Sequence, residues 1–153
     1  MKGITRRGAL AGLAAGLLAA GGASAEGPRV LVHKDPNCGC CAKWVEHLRG
    51  QGFTVEVSEG PVAPHRARLG VPRALASCHT AEVDGYVLEG HVPAAEVRRL
   101  LAERPVATGL AVPGMPMESP GMEVGAEPAE YEVVLFGTSG RSAYARYRGC
   151  ARV

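Results

Sequence analysis

A cluster of cysteines near residue 40 has the spacing needed either to bind a soft metal ion or to exchange disulfides. Cys38, Cys40 and Cys41 lie within four residues, and the outer two form a C-x-x-C pair. The residues that follow have helical apolar spacing, which places the cluster at a helix N-terminus. The helix dipole and the free N–H groups favour thiolate over thiol there. Thiolate is the reactive form for both functions.

Two features of the cysteine pattern favour a metal site. Cys40 lies inside the C-x-x-C pair and points in a different direction from its neighbours, so that the thiolates can bridge several ions. A thioredoxin-like oxidoreductase would place a cis-proline before the first strand of the later hairpin. This sequence has Cys78 and His79 at that position. Both are therefore candidate ligands that would face the first cluster.

Thioether side chains supply a third argument. Met115, Met117 and Met122 punctuate a Pro- and Gly-rich segment and do not form a helical stripe. Flexible packing is the ordinary role of such methionines. Thiolate and thioether ligands together suit Cu(I), which makes these three methionines candidate ligands for one copper ion or several.

Two other functions remain open. Cys38 and Cys41 alone could be the redox pair of a thiol–disulfide oxidoreductase or of a copper/thiol redox enzyme. The cysteines could also hold a structural zinc ion. The chain has five cysteines, an odd number, and three are crowded together, which fits a purely structural disulfide framework poorly. A binding protein rather than an enzyme is the leading interpretation.

Apolar spacing and turn residues predict the elements that position these side chains. The predicted strands cover residues 29–33, 53–57, 130–136 and 142–148, with a hairpin at 80–83 and 86–89 around Asp84-Gly85; the predicted helices cover 40–50, 65–69 and 93–104; an irregular loop covers 109–125, and the tail from 149 is loose. This order predicts a single α/β domain of the thioredoxin-like type, with a central mixed sheet and flanking helices.

The first 25 residues have the features of an export signal. Lys2, Arg6 and Arg7 precede a weakly apolar run, and Ala23-Ser24-Ala25 matches a cleavage site. The arginine pair favours the twin-arginine type over an ordinary signal. We therefore expect residues 1–25 to be removed and residues 26–153 to be a periplasmic domain, without a membrane anchor.

Charge and aromatic content argue against a nucleic-acid partner. The chain has 17 basic and 15 acidic residues, and three of the basic ones belong to the predicted signal peptide. The remainder has a net charge near −1 and lacks a basic patch or charge run. Two Phe, four Tyr and one Trp offer little for base stacking. Copper ions, and other periplasmic proteins that handle them, are the expected partners.

Several motifs resemble those of a bacterial family of CopG-type periplasmic copper-resistance proteins, long labelled only as a domain of unknown function. They are Lys34 to Cys41, Ser77 to Thr80, Glu89 to Pro93, Gly109 to Pro116 and Ser119 to Glu123. The resemblance implies a thioredoxin-like fold, a role in copper handling and a cysteine-thiolate site for more than one copper ion. Carried over by position, it implies Cys38, Cys40, Cys41 and Cys78 as ligands. Cys150 lies beyond the matching motifs.

Overall fold

The structure is a computed structural model that describes residues 26–153, so the predicted signal peptide lies outside the described residues. In chain order the elements are β1 (Arg29–Lys34), α1 (Gly39–Gly50), β2 (Thr54–Glu59), α2 (Val62–Arg68), a 3-10 turn (Arg73–Leu75), β3 (His79–Val83), β4 (Tyr86–Glu89), α3 (Ala94–Glu103), β5 (Gly109–Ala111), β6 (Glu130–Gly137), β7 (Gly140–Arg148) and β8 (Ala151–Arg152).

A mixed sheet of eight strands organises the described part of the chain, in the order β2-β1-β3-β4-β5-β6-β7-β8. The pairs β1–β2 and β4–β5 are parallel, and the other neighbouring pairs are antiparallel. The predicted α/β class with a mixed sheet and helices is therefore confirmed.

The core forms where β1 and α1 present their apolar faces to each other. Alternation along β1 buries Val30 and Val32, while Leu31 between them is 37% exposed. Trp44 and Leu48 lie one turn apart on α1, and both are fully buried in the same cluster. Burial of each such side chain contributes about 1.5–3 kcal/mol. This packing fixes the start of α1 relative to the sheet.

The hairpin of β3 and β4 turns at Asp84-Gly85, as predicted. Both residues have positive φ, at 44° and 86°, which the tight hairpin turn requires. Because the strands are antiparallel, the residues before β3 and those after β4 meet at the same end of the sheet. That end faces the start of α1.

Two predictions about irregular segments were wrong. Gly109–Ala111 is a strand, because it pairs with both β4 and β6. Gly109 packs so tightly there that a Cβ would lie 1.8 Å from the carbonyl oxygen of Val87. The tail is also ordered, since Ala151–Arg152 pairs with the end of β7. Strands of two or three residues carry too little alternation to be recognised in sequence.

The helices differ from the prediction mainly at their ends. Helix α2 begins at Val62 instead of residue 65 and ends at Arg68. Pro61 is its N-cap, and Pro64 lies in the first turn, where a missing N–H costs little. None of the helices in residues 26–153 is long and apolar enough to cross a membrane.

Candidate metal centre

The sulfur atoms of four cysteines converge where α1 begins. The Sγ atoms of Cys38, Cys40, Cys41 and Cys78 all lie within 4.8 Å of one another. Cys40 Sγ is 3.5 Å from Cys38 Sγ and 3.9 Å from Cys78 Sγ. Two sulfurs bound to one metal ion at about 2.3 Å and a tetrahedral angle lie roughly 3.8 Å apart. The observed spacing fits thiolates that share an ion.

Helix α1 and the turn before it position the first three cysteines. Cys38 is the N-cap residue; its N–H donates to the carbonyl of Asp35, and its own carbonyl accepts from the N–H of Ala42. Cys40 and Cys41 lie in the first turn, where backbone N–H groups lack partners within the helix. Cys41 is fully buried, whereas Cys38 and Cys40 are partly exposed. The cluster is therefore open to solvent on one side.

Cys38 and Cys41 form a disulfide, and Cys40 and Cys78 are free thiols. In this form the cluster offers two thiols to a metal ion. Reduction of the disulfide by two electrons and two protons raises the number of available thiols to four. The number of metal donors therefore depends on the redox state of the C-x-x-C pair.

A second set of donors shares Cys78 with the first. Cys78 Sγ lies 3.3 Å from Nδ1 of His79 and 3.2 Å from Nε2 of His91. The sulfur and a ring nitrogen from each histidine all lie within 4.8 Å of one another. His79 was a predicted ligand, and the structure brings it next to Cys78. Cys78 thus joins an all-sulfur set to a sulfur-and-imidazole set.

A hydrogen bond of His91 determines its tautomer, and therefore which ring nitrogen has a free lone pair. Nδ1 of His91 lies 2.7 Å from the carbonyl oxygen of Pro120. A carbonyl only accepts, so Nδ1 carries the proton. In the neutral ring Nε2 then has a free lone pair aimed at Cys78 Sγ. A histidine held in this way is prepared to bind a metal ion.

Burial keeps these groups uncharged. It raises the pKa of Cys78 to about 12, with a further contribution from neighbouring Cys40. It also lowers the pKa of His79 to about 3 and lowers that of His91. At neutral pH the site therefore holds a thiol and two neutral imidazoles. Binding of a cation would displace the thiol proton of Cys78 and stabilise the thiolate.

The aromatic ring of Trp44 covers one side of His79. The two ring centroids are 4.4 Å apart, and the indole Nε1 donates to the carbonyl of Val92 at 2.9 Å. Nε2 of His79 is buried without a hydrogen-bond partner among the described residues. The other ring nitrogen, Nδ1, is the one that lies 3.3 Å from Cys78 Sγ.

The methionine segment lies against the cluster at two points. Gly121 packs on α1 so closely that a Cβ there would lie 2.9 Å from the carbonyl oxygen of Cys40. Met122 follows it and is half-buried. The N–H of Gly114 donates to the carbonyl of Ala76. The backbone next to Met115 therefore lies close to the segment that leads to Cys78.

The other two methionines are open to solvent. Met115 is 54% exposed and Met117 is 38% exposed. The backbone carbonyl of Met117 accepts from the N–H of Ala129, on the side of the loop that leads to β6. Met122 is therefore the least exposed of the three predicted thioether ligands.

Cys150 lies apart from the cluster. Its Sγ is exposed and donates to the carbonyl of Glu118 at 3.2 Å. Burial and nearby carboxylates, Glu123 above all, raise the pKa of this thiol. The ligand groups found among residues 26–153 do not include it.

His91 is a close neighbour of Cys78 that the sequence does not single out as a ligand. A lone histidine with no other ligand type beside it has the ordinary pattern of a packing or surface residue. The signal was its place directly after the second strand of a hairpin whose first strand follows Cys78. Paired antiparallel strands bring such positions together.

Fold and site together define a small α/β protein with a partly buried cluster of cysteines and histidines that could bind a metal ion. A family model described as "Protein of unknown function, DUF411" matches residues 75–122. This segment contains Cys78, both histidines of the second donor set and all three methionines.

Two solved structures resemble the chain over most of its length. One, a copper resistance protein CopG in form 2, has 47% sequence identity and a TM-score of 0.75; the match covers 80% of this chain and 99% of that one. The other, form 1 of a copper resistance protein CopG, has 46% identity and a TM-score of 0.75, with 81% and 100% covered. No curated protein sequence matches the chain. The chain belongs to the CopG family of copper-resistance proteins.

Proposed function

We propose that this protein binds copper in the periplasm and holds Cu(I), as one ion or several, through its four clustered cysteines. Sequestration, transfer or redox buffering of copper would follow from such a site. The convergence of four sulfur atoms within 4.8 Å is the observation that carries the proposal. Soft thiolates select Cu(I) among the common metals, and imidazole also suits copper.

The proposed ligands form an inner group and an outer group. Cys38, Cys40, Cys41 and Cys78 are the inner ligands, and Cys78 extends the site towards His79. The predicted thioether ligands are Met115, Met117 and Met122, and the burial of Met122 favours it for this role. Other periplasmic copper-handling proteins are the proposed partners for delivery or removal of the ion.

The fold proposed for this function is thioredoxin-like. The order β2-β1-β3-β4, with α1 between β1 and β2 and α3 after β4, supports this assignment. Strands β5 to β8 extend that unit on one side. In this arrangement the start of α1 and the segment before β3 face each other across the site.

The periplasmic location is proposed from residues 1–25 alone. A twin-arginine signal and a cleavage site after Ala25 predict a mature chain that begins near Glu26. Mass spectrometry of protein recovered from the periplasmic fraction checks this expectation. An unprocessed chain that stays in the cytoplasm would overturn it.

Redox chemistry is the second candidate function, and the disulfide between Cys38 and Cys41 favours it. As a thiol–disulfide oxidoreductase or a copper/thiol redox enzyme, the protein would cycle this pair. The free thiols of Cys40 and Cys78, which lie beside the disulfide, distinguish the site from a simple C-x-x-C pair. A structural zinc site is the third alternative and would need the same four sulfurs.

Anaerobic titration of the reduced protein with Cu(I), followed by metal analysis, tests the copper proposal. We expect at least one copper ion per chain, and we expect Cys40→Ser and Cys78→Ser each to lower that number. Cys150→Ser is the matched control, because this cysteine lies outside the cluster. Wild-type protein that stays below one copper ion per chain contradicts the proposal.

The same variants separate the three functions. An oxidoreductase that uses only the outer pair would keep its disulfide reductase activity in Cys40→Ser, whereas a copper cluster would lose ions. A zinc site would bind Zn²⁺ tightly, and Cu(I) would then either unfold the protein or leave it unchanged.

A further inference from the structure

A buried ion pair lies behind the segment that carries Cys78. Glu89, the last residue of β4, is fully buried, and Nε of Arg66 on α2 donates to its Oε1 at 2.7 Å. Burial raises the pKa of Glu89, while Arg66 acts in the opposite direction. Isolated buried carboxylates are costly, so this one requires its partner. The pair is not part of either donor set.

Both members of the pair hold the backbone of Ser77. The N–H of Ser77 donates to Oε1 of Glu89 at 2.6 Å, and Nη2 of Arg66 donates to the carbonyl of Ser77 at 2.6 Å. Strand β3 begins only at His79, so no strand pairing orders this residue. The ion pair supplies the hydrogen bonds that a neighbouring strand would otherwise provide.

Ser77 is confined on its other sides as well. Its hydroxyl donates to the carbonyl of Gly114. A Cβ at Gly90 would lie 2.6 Å from Cβ of Ser77, so the hairpin backbone packs directly against it. The residue before Cys78 therefore has little room to move while the pair is intact.

Helix α2 contacts the rest of the protein mainly through polar and aromatic side chains. It has no fully buried residue. Its contacts with the sheet include Arg66, the exposed ion pair of Arg68 with Glu82, and the stacking of His65 on His33. Of these contacts, the one made by Arg66 leads to the cysteine site.

We infer that Arg66 and Glu89 are positioning residues that hold Cys78 Sγ at the distance from Cys40 Sγ that the cluster needs. This inference rests on the proposed copper function for its biological meaning. Its geometric content, the distance between two sulfurs, can be measured without copper. A pair that only stabilised the fold would leave this distance unchanged in any variant that still folds.

A disulfide-formation assay reports on the relative placement of the two sulfurs. In a Cys38→Ser, Cys41→Ser, Cys150→Ser background only the thiols of Cys40 and Cys78 remain. Glutathione disulfide oxidises them to one intramolecular disulfide and is reduced to two glutathione thiols. The ratio of that disulfide to the reduced form, read by mass spectrometry, reports how well the two sulfurs are aligned.

The informative variant removes both charges at once. Arg66→Met with Glu89→Gln leaves no unpaired buried charge, which would otherwise dominate stability. We expect it to fold, as judged by circular dichroism, and to form the Cys40–Cys78 disulfide about tenfold less efficiently, because small misplacements of reacting groups have large effects. Arg68→Ala, on the same helix, is the matched control and should behave as the background protein.

Copper titration of the same substitutions with all cysteines present supplies the second measurement. We expect weaker Cu(I) binding in the double variant and unchanged binding in Arg68→Ala. If wild-type protein binds no copper while disulfide formation still depends on the pair, the proposed function fails and the positioning role stands.

Unchanged disulfide formation and copper binding in a folded double variant overturn the positioning role. Should the double variant not fold, Arg66→Lys keeps the charge but cannot donate to both Glu89 and Ser77 in the same fork geometry. The same tenfold loss is expected there, and its absence in the folded lysine variant also overturns the inference.

Discussion

Cys78 differs from the other clustered cysteines in its surroundings. It is the sulfur that contacts both the α1 cysteines and the two histidines. Burial raises its pKa to about 12, so it stays protonated at neutral pH until a cation replaces the proton. In the proposed function this thiol links a thiolate site to an imidazole site.

His91 directs the lone pair of Nε2 at Cys78 Sγ. We expect His91→Gln to weaken Cu(I) binding by about 10–100-fold, because it removes the lone pair that faces Cys78 while keeping polar groups near Pro120. Competition with a copper chelator under anaerobic conditions gives the affinity. His65→Gln is the control, since that ring stacks on His33 and belongs to neither donor set. Equal affinities for both variants would show that His91 does not act on the ion.

At the level of elements, the loop before β6 packs against the first turns of α1 beside the site. Gly121 is the contact point, and its N–H donates to a carboxylate oxygen of Glu123 at 2.8 Å. Its φ of 87° and its closeness to the backbone of Trp44 and Cys40 both require glycine. The loop therefore rests on the helix turn that carries two of the cysteines.

Gly121→Ala tests this contact, and Gly125→Ala controls for the backbone strain. Gly125 has a similar φ of 75°, but a Cβ there would meet no atom within 4 Å. We expect Gly121→Ala to lower the free energy of unfolding by about 1–3 kcal/mol more than Gly125→Ala does, because only the former overpacks. Urea unfolding of the reduced proteins measures the difference. Equal losses would mean that the loop adapts without strain.

For the whole molecule, buried neutral histidines make stability depend on pH. Burial lowers the pKa of His79 to about 3 and lowers those of His91 and His47. Below their ordinary value of about 6.5 the unfolded chain binds protons that the folded chain does not. Stability is therefore complete above that pH and decreases as the pH falls. Glu89, whose pKa is raised, acts in the opposite direction nearer its own range.

We expect the free energy of unfolding of the reduced protein to fall between about pH 7 and pH 5, with each such histidine contributing up to ~1.4 kcal/mol per pH unit. His79→Phe keeps an aromatic ring against Trp44 and removes one titrating group, so its pH dependence should be shallower. Denaturant unfolding at several pH values measures the slope. A slope identical to wild type would contradict the assignment of His79 as a buried neutral base.

The sequence alone determined the features that depend on near neighbours. The C-x-C-C cluster at a helix start, the apolar face with Trp44 and the Asp84-Gly85 hairpin follow from helical spacing, alternation and turn chemistry. These signals act over a few residues, so they survive without knowledge of the rest of the chain. The mixed α/β class follows from the order of such elements.

Only the tertiary structure decided which distant groups meet. Cys40 lies beside Cys78, which is 38 residues further along the chain, and sequence spacing does not show that contact. The hairpin brings His91 next to Cys78. Strands β5 and β8 pair with the sheet but are too short to show a pattern in the sequence. Such contacts depend on strand pairing and packing between residues far apart in sequence, and these are properties of the folded molecule.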